Sequence, residues 1–383
     1  NVIHCSNGVY DLGESKFRDG VPDDMITITS NNQYITDMER YTNTNYTECE
    51  EGFNDFLDKL FPEYEVKEYI LNSLAISLSG KSLVQTFNVC IGSGSNGKSV
   101  LFDFLEYVFG DYFSSASPAL LTKGRGDANT VSPAIASLRG KRLICCSEPD
   151  EKEPIKTGVM KELTGGDKLV GRHLHMAPIE FRPQHTIFFA CNDPPEVQTT
   201  DEGTWRRIRV VPFISKFVDS DNIVLKANKT PYHFPKDPNI KNNFSVWKPL
   251  FLNELINRHN NLKANNFRLE TPEKIKMANL EYKKDHNIYE SFKNECLIKR
   301  TGERLPVNEA FKVFTESCKV NNQKINKINK NNFITEMNRL IGGIKSNKYW
   351  KDWAIIEDTG EYDDDEDDSN LSAQSNDESD NDN

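Results

Sequence analysis

Between Phe87 and Leu105 the chain reads FNVCIGSGSNGKSVLFDFL: an apolar run, a glycine-rich stretch, and a second apolar run at helical spacing. Two phosphate-binding patterns overlap there. Gly92, Gly94 and Gly97 make the G-x-G-x-x-G of a dinucleotide-binding turn, and Gly92, Gly97, Lys98 and Ser99 make the G-x-x-x-x-G-K-S of a triphosphate-binding loop. Either demands a strand, a tight turn and a helix whose N-terminus faces phosphate, so an α/β fold must surround it.

The flanking residues separate the two patterns. A dinucleotide turn needs a second strand and an acid about twenty residues on, to hold a ribose. The following VLFDFLEYVFGDYFSSASPALL reads as a helix and then irregular chain, with Asp111 just after the glycine that ends the helix, and no second strand is evident. A triphosphate loop needs a lysine directly after its last glycine and then a hydroxyl, and Lys98 and Ser99 supply them. The amides of Gly92, Ser93, Gly94, Ser95, Asn96, Gly97, Lys98 and Ser99 are expected to ring the β-phosphate of ATP. Lys98 would neutralise the β- and γ-phosphates, and the Ser99 hydroxyl would ligate Mg2+.

Three further segments extend the domain. QTFNVCIG (85–92), KRLICCSE (141–148) and HTIFFACN (185–192) have continuous apolar centres, as strands buried on both faces of a parallel sheet do. Helical segments are expected around 98–108, 130–138 and 155–163, so residues 81–218 read as an α/β core. Ligands collect at the carboxyl ends of such strands, where Gly92, Glu148 and Asn192 stand. Glu148, delivered by a neighbouring strand, is the expected polariser of the attacking water. Asn192 either bonds that water or the γ-phosphate, or forms a turn before Asp193-Pro194-Pro195.

Two basic segments follow the same logic. DEGTWRRIRVVPF sets Arg206, Arg207 and Arg209 before another apolar strand. One of them, presented from a neighbouring subunit, can stabilise a transferring phosphoryl group, in which case the working form is a ring; otherwise they pair with acids. GGDKLVGRHLHMAPIEF reads as a β-hairpin with Met176, Ile179 and Phe181 alternating on its second arm. Its Lys168, Arg172, His173 and His175 either grip a polyanion such as DNA or pair with nearby acids.

Residues 1–80 read as a turn-rich module followed by two helices, with Phe53, Phe56, Leu57 and Leu60 on one stripe and Tyr69, Ile70, Leu74 and Leu78 on the next. Residues 219–300 form an irregular connection and helices near 246–263 and 271–297. Residues 301–357 place helices at 306–319 and 330–341 before the strand YWKDWAII, an order that suggests a winged-helix or helix-turn-helix module. Lys324, Lys327, Lys330 and Arg339 there either rest on phosphates or belong to a solvated turn.

The net charge of −11 is misleading, because twelve acids and no Lys or Arg fall in 358–383. The remainder has 46 acids against 47 Lys and Arg. The tail is expected to be disordered, either as a solvated end or as an anion that competes with nucleic acid for a basic surface. There is no run of 18 apolar residues, so no membrane association is expected. Cys90, Cys145, Cys146 and Cys191 lie in apolar runs and read as small core residues of a reducing compartment. Asn1 opens the chain inside ordered-looking sequence, as a fragment of a longer polypeptide would.

Taken in order, GSGSNGKS, RLICCSEPDE, LTGGDKLVGRHLHMAPIEFRP, FFACNDPP and GTWRRIRVVPF resemble a superfamily 3 helicase. The segments are more closely similar to the primase-helicases of nucleocytoplasmic large DNA viruses, including poxviruses, and of related phage and plasmid replication proteins. The resemblance covers roughly residues 1–356. It implies a P-loop NTPase core of modified AAA+ type, a hexameric ATPase that translocates on DNA and unwinds duplex, with a primase domain in the same full-length chain. A viral replication site in the host cytoplasm is the implied location. It also implies Lys98 and Ser99 for nucleotide and magnesium, Glu148 as the Walker B acid, Asn192 as sensor 1, and Arg206 or Arg207 as the trans-acting finger. The basic hairpin is implied to enter the ring channel. Ser147 stands where many such ATPases carry a metal-binding Asp, so the second magnesium ligand, Glu148 or Asp150, stays open. Two other readings fit some of these features: an oligomeric DNA-binding scaffold, loader or packaging motor without strand separation, and a small-molecule phosphotransferase.

Overall fold

The computed structural model describes residues 1–36, 39, 44–124, 131–147, 154–197, 201–219, 221, 231–286, 288–320, 329–344 and 348–356. Contacts divide the chain into two units, Asn1–Ile288 and Tyr289 onward.

The first unit opens with an antiparallel sheet of β1 (Val2–Cys5), β2 (Gly8–Asp11) and β3 (Lys16–Arg18). Helices α1 (Thr44–Leu60) and α2 (Tyr64–Ser77) follow. The core then alternates β4 (Phe87–Ile91), α3 (Lys98–Phe109), β5 (Phe113–Ala116), β6 (Leu143–Cys146), α4 (Thr157–Thr164), a hairpin of β7 (Leu169–Gly171) and β8 (Ile179–Phe181), β9 (Thr186–Cys191) and β10 (Ile208–Pro212). Five of these strands form one parallel sheet in the order β10-β4-β9-β6-β5. β11 (Lys216–Val218) and β12 (His233–Pro235) make a two-stranded pair, and α5 (Phe244–Ala264) and α6 (Glu273–His286) complete the unit.

Alternation along the buried strands explains their unbroken apolar runs. Cys90, Cys145, Phe188 and Val211 point into one hydrophobic cluster, shared with α1, α2, α3 and α5 through Leu57, Leu74, Phe104 and Phe251. Val89, Ile144, Cys146, Phe189 and Val210 point into the opposite cluster, with Leu163, Trp205 and Tyr282. Successive side chains of a strand face opposite ways, so a strand covered on both sides must be apolar at every position. The four cysteines expected in the core are buried free thiols, and burial pushes the Cys146 thiol up to about 12.

Distant segments weld the N-terminal region to α5. Asn32 Nδ2 donates to Lys248 O at 2.8 Å, and Ile35 N donates to Asn253 Oδ1 at 3.1 Å. Arg258 forks onto both oxygens of Glu68 at 2.7 and 2.8 Å. Residues 1–80 and 244–264 thus share one core with the sheet.

Several elements differ from their sequence reading. A second strand does follow the loop helix: β5 has only Phe113 as a large apolar residue, which hid it. It pairs with β6 at the sheet edge and not with β4, and Asp111 precedes it, bonded through Oδ2 to Thr29 N at 3.0 Å. Asp111 therefore does not stand beside the loop strand as a ribose-binding acid would. The helix expected over 130–138 is a single turn, Pro133–Ala136. The one expected over 271–297 is two helices, α6 and α7 (Ile288–Cys296).

The second unit continues from α7 with β13 (Leu297–Pro306), α8 (Val307–Val320), α9 (Lys330–Ile341) and β14 (Tyr349–Ile355). β13 was not legible because eight of its ten residues are exposed, including Lys299, Arg300 and Arg304. It pairs antiparallel with β14. Phe314, Phe333 and Trp350 fill the centre, with ring centroids 4.8 Å apart for the first pair and 5.9 Å for the second. Lys324, Lys327 and the tail 358–383 lie outside the described residues. Lys330 bonds Asn308 Oδ1, and Arg339 lies 3.3 Å from Glu336.

Candidate nucleotide site

β4 delivers the chain to a loop whose conformation its glycines permit. A Cβ at Gly92 would stand 2.7 Å from Asn96 Oδ1 and 2.9 Å from Phe213 O. One at Gly97 would meet Leu60 Cδ1 at 2.5 Å, and Gly97 has φ +80°. Both places exclude a side chain sterically. The loop is also held from outside, by a segment the sequence reading missed. Asn96 Nδ2 donates to Ser215 O at 2.7 Å, Phe217 N to Ser95 O at 2.8 Å, and Lys216 Nζ to Gly94 O at 2.8 Å. These partners are 119 to 122 residues away, and backbone acceptors leave no signal in sequence.

Lys98 opens α3 and is 9% exposed. Its Nζ donates to Gly92 O at 2.6 Å and to Asn192 Oδ1 at 3.4 Å. Asn192 follows β9, which pairs with β4 residue by residue up to Ile91 opposite Cys191. The sheet order thus sets Asn192 immediately beside the loop. β6, the strand leading to Glu148, is separated from β4 by β9. The expectation that Glu148 comes from the strand next to the loop is corrected accordingly, and Glu148 itself lies outside the described residues.

Gly94 to Val100 and Asn192 line a cleft of about 550 Å³. Phe56 and Leu60 of α1, Phe217 of β11, Pro235 of β12 and Trp247 of α5 also line it, with Asp55, Lys59, Lys236 and Asp237. Phe56 and Trp247 stack at 5.3 Å with 23° between their planes. Ser99 is exposed within this cleft, one residue into the helix. A cleft that combines a lysine and helix amides with aromatic side chains suits a molecule that joins phosphates to a flat ring.

The arginines separate into different roles. Arg207 is 8% exposed; its guanidinium donates to Gln85 Oε1 at 2.7 Å and to Gly203 O. Arg209 donates to Arg206 O and Ile208 O, both at 2.8 Å. Arg206 is exposed, and among the described residues its guanidinium has no hydrogen-bond or ion-pair partner. All three lie toward the amino end of β10, whose Ile208 pairs with Phe87 at the end of β4 opposite to the loop. Five strand residues, about 17 Å, separate Arg206 and Arg207 from the loop end of their own sheet, and Arg209 is the second of those five.

The hairpin residues form a shorter hairpin than expected. Only three residues on each arm pair, so Arg172, His173, His175 and Met176 fall in the connecting turn, where His175 has φ +60°. Lys168 is paired with Glu180 at 3.1 Å, and Arg172 Nε donates to Met176 O at 3.0 Å. His175 is exposed, together with Leu174 and Met176.

Known proteins resemble this chain over most of its length. Residues 90–207 match the model of a family of unknown function, DUF5906. The chain is 35% identical over 304 residues to "Putative helicase L207/L206" of Acanthamoeba polyphaga mimivirus, covering 78% of this chain and 30% of that protein. It is 29% identical to "Putative helicase 184R" of Invertebrate iridescent virus 6, covering 77% and 32%. It is 27% identical to "Putative primase C962R" of African swine fever virus, covering 53% and 22%. The chain spans less than a third of the length of each of these three relatives. It belongs with the helicase-named and primase-named proteins of nucleocytoplasmic large DNA viruses.

Proposed function

We propose that this chain is the ATP-hydrolysing motor of a viral replicative helicase, a modified AAA+ ATPase of superfamily 3 that works as a ring on DNA. The observation that carries the reading is Lys98 Nζ set between Gly92 O and Asn192 Oδ1, inside the cleft that the loop, Asn192 and α1 share. The triphosphate lies along the loop amides, Lys98 offsets charge on the β- and γ-phosphates, and Asn192 orients the attacking water or the γ-oxygen. The base lies against the Phe56–Trp247 stack.

Magnesium fits this site through oxygen donors, the class a hard cation takes. The exposed Ser99 hydroxyl would be one, and Glu148 or Asp150, both outside the described residues, would be the other. When bound, the ion neutralises charge on the β- and γ-oxygens.

Arg206 is the finger of the pair Arg206 and Arg207, because Arg207 is already engaged within its own subunit. Facing away from its own loop, Arg206 serves the loop of a neighbouring copy, which makes catalysis depend on the assembled ring. The turn carrying Arg172, His173 and His175 leads through β8 into β9, so it is joined to the strand that Asn192 follows. That connection couples the γ-phosphate to a cationic grip on DNA.

Forked-duplex unwinding with ATP tests the reading. Strand separation that disappears in Lys98→Ala supports it. Turnover without separation would point instead to a DNA-binding loader or packaging ATPase.

A further inference from the structure

β13 and β14 form a ribbon whose outer face is cationic. Leu305 and Trp350 stand opposite each other and are buried. Alternation turns the adjacent pair, Arg304 and Lys351, to the other face, and both are exposed. The Arg304 guanidinium lies 5.1 Å from the centroid of the Tyr349 ring, which holds it on that face. Lys299, Arg300 and Lys348 are also exposed on the ribbon.

Like charges directly opposite on an antiparallel pair are unfavourable. Among the described residues none of these five cations has a side-chain hydrogen bond or ion pair, and the Tyr349 ring beside Arg304 is neutral. Of the two acids on the ribbon, Asp352 accepts from Gly302 N at 2.8 Å and is thereby used within the fold, and the exposed Glu303 pairs with none of these cations among the described residues. By contrast, Lys330 and Arg339 of the same unit both have partners. An uncompensated cation row with Tyr349 and Trp353 between its members fits a linear polyanion that carries flat rings.

We propose that this ribbon binds the phosphate backbone of nucleic acid through Arg304 and Lys351, as a contact separate from the hairpin of the first unit. The site does not depend on nucleotide. The test is fluorescence anisotropy of the full chain with a labelled 20-mer single strand and a 20-base-pair duplex, without ATP, across about 50–200 mM KCl. Arg304→Gln with Lys351→Gln is expected to weaken binding about tenfold and to flatten the log–log salt slope by about 1.4 on the single strand or 1.8 on the duplex. Whichever probe shows the loss identifies the form bound. Lys351→Glu supplies a second, opposed readout: it places unlike charges across the ribbon, so thermal stability rises while nucleic-acid binding falls. Unchanged affinity and salt slope for both probes, in variants whose circular dichroism matches the parent, would overturn the proposal.

Discussion

Asn192 Oδ1 accepts from Lys98 Nζ at 3.4 Å, joining the end of β9 to the first residue of α3. The two groups are 94 residues apart in sequence and meet because β9 is inserted beside β4.

Asn192 should therefore matter to chemistry more than to binding. Asn192→Ala is expected to lower kcat about 100-fold with little change in the affinity for ATP, measured by phosphate release and by equilibrium titration. A variant that loses affinity while keeping kcat would assign Asn192 a binding role only.

Arg206 and Arg207 should behave as opposites. Arg206→Ala is expected to fold normally, bind ATP, and hydrolyse it at least about 100-fold more slowly. Mixing it with Lys98→Ala subunits is expected to restore part of the activity, since one intact loop then faces one intact finger. Arg207→Ala removes the donor to Gln85 and Gly203 and should cost about 1–3 kcal/mol in denaturant unfolding. Absence of rescue in the mixture would contradict the trans arrangement.

Gly97 should tolerate no side chain. At φ +80°, with a Cβ falling 2.5 Å from Leu60 Cδ1, Gly97→Ala must displace either the loop or the end of α1. The expected result is at least about a tenfold loss of ATP affinity, whereas Gly94→Ala, where the Cβ meets only open space but φ is +85°, should lose less. Equal effects at the two positions would show that backbone angle alone governs the loop.

His185, which precedes β9, sets a pH dependence. Burial brings its pKa down to about 4 from an ordinary value near 6.5, with Nε2 against Leu163 O at 3.1 Å. The unfolded chain takes up a proton through about pH 6.5 while the folded one resists until about pH 4. Stability is thus full above that window and falls as pH drops through it, by up to about 3 kcal/mol. His185→Gln, which keeps a donor for Leu163 O and does not titrate, is expected to flatten the Tm profile between those pH values.

The loop, the three central strands and most of the longer helices were legible because each is marked by local chemistry, though the helix read over 271–297 is two and that over 130–138 a single turn. G-x-x-x-x-G-K-S names its own geometry, and strands covered on both faces leave apolar runs such as TIFFAC and LICC. What the sequence hid was relational. FSSA and LIKRTGERLP lack the apolar pattern because one lies at a sheet edge and the other is a solvent-facing ribbon. The place of β9 between β4 and β6 depends on crossover order, so the neighbour of the loop proved to be the strand of Asn192 and not that of Glu148. Arg206 and Arg207, adjacent and identical in type, differ only in what surrounds them. The clamp from Ser215, Lys216 and Phe217 acts largely through loop carbonyls, which every residue carries alike.

The most direct measurement is titration of the full chain and of Lys98→Ala with a fluorescent ATP analogue in the presence of magnesium. Saturable binding to the parent chain, weakened at least about 100-fold in the variant with the fold intact by circular dichroism, is the expected result. Equal binding by the two proteins, or no binding by either, would contradict the assignment of this loop to the phosphates of a nucleotide.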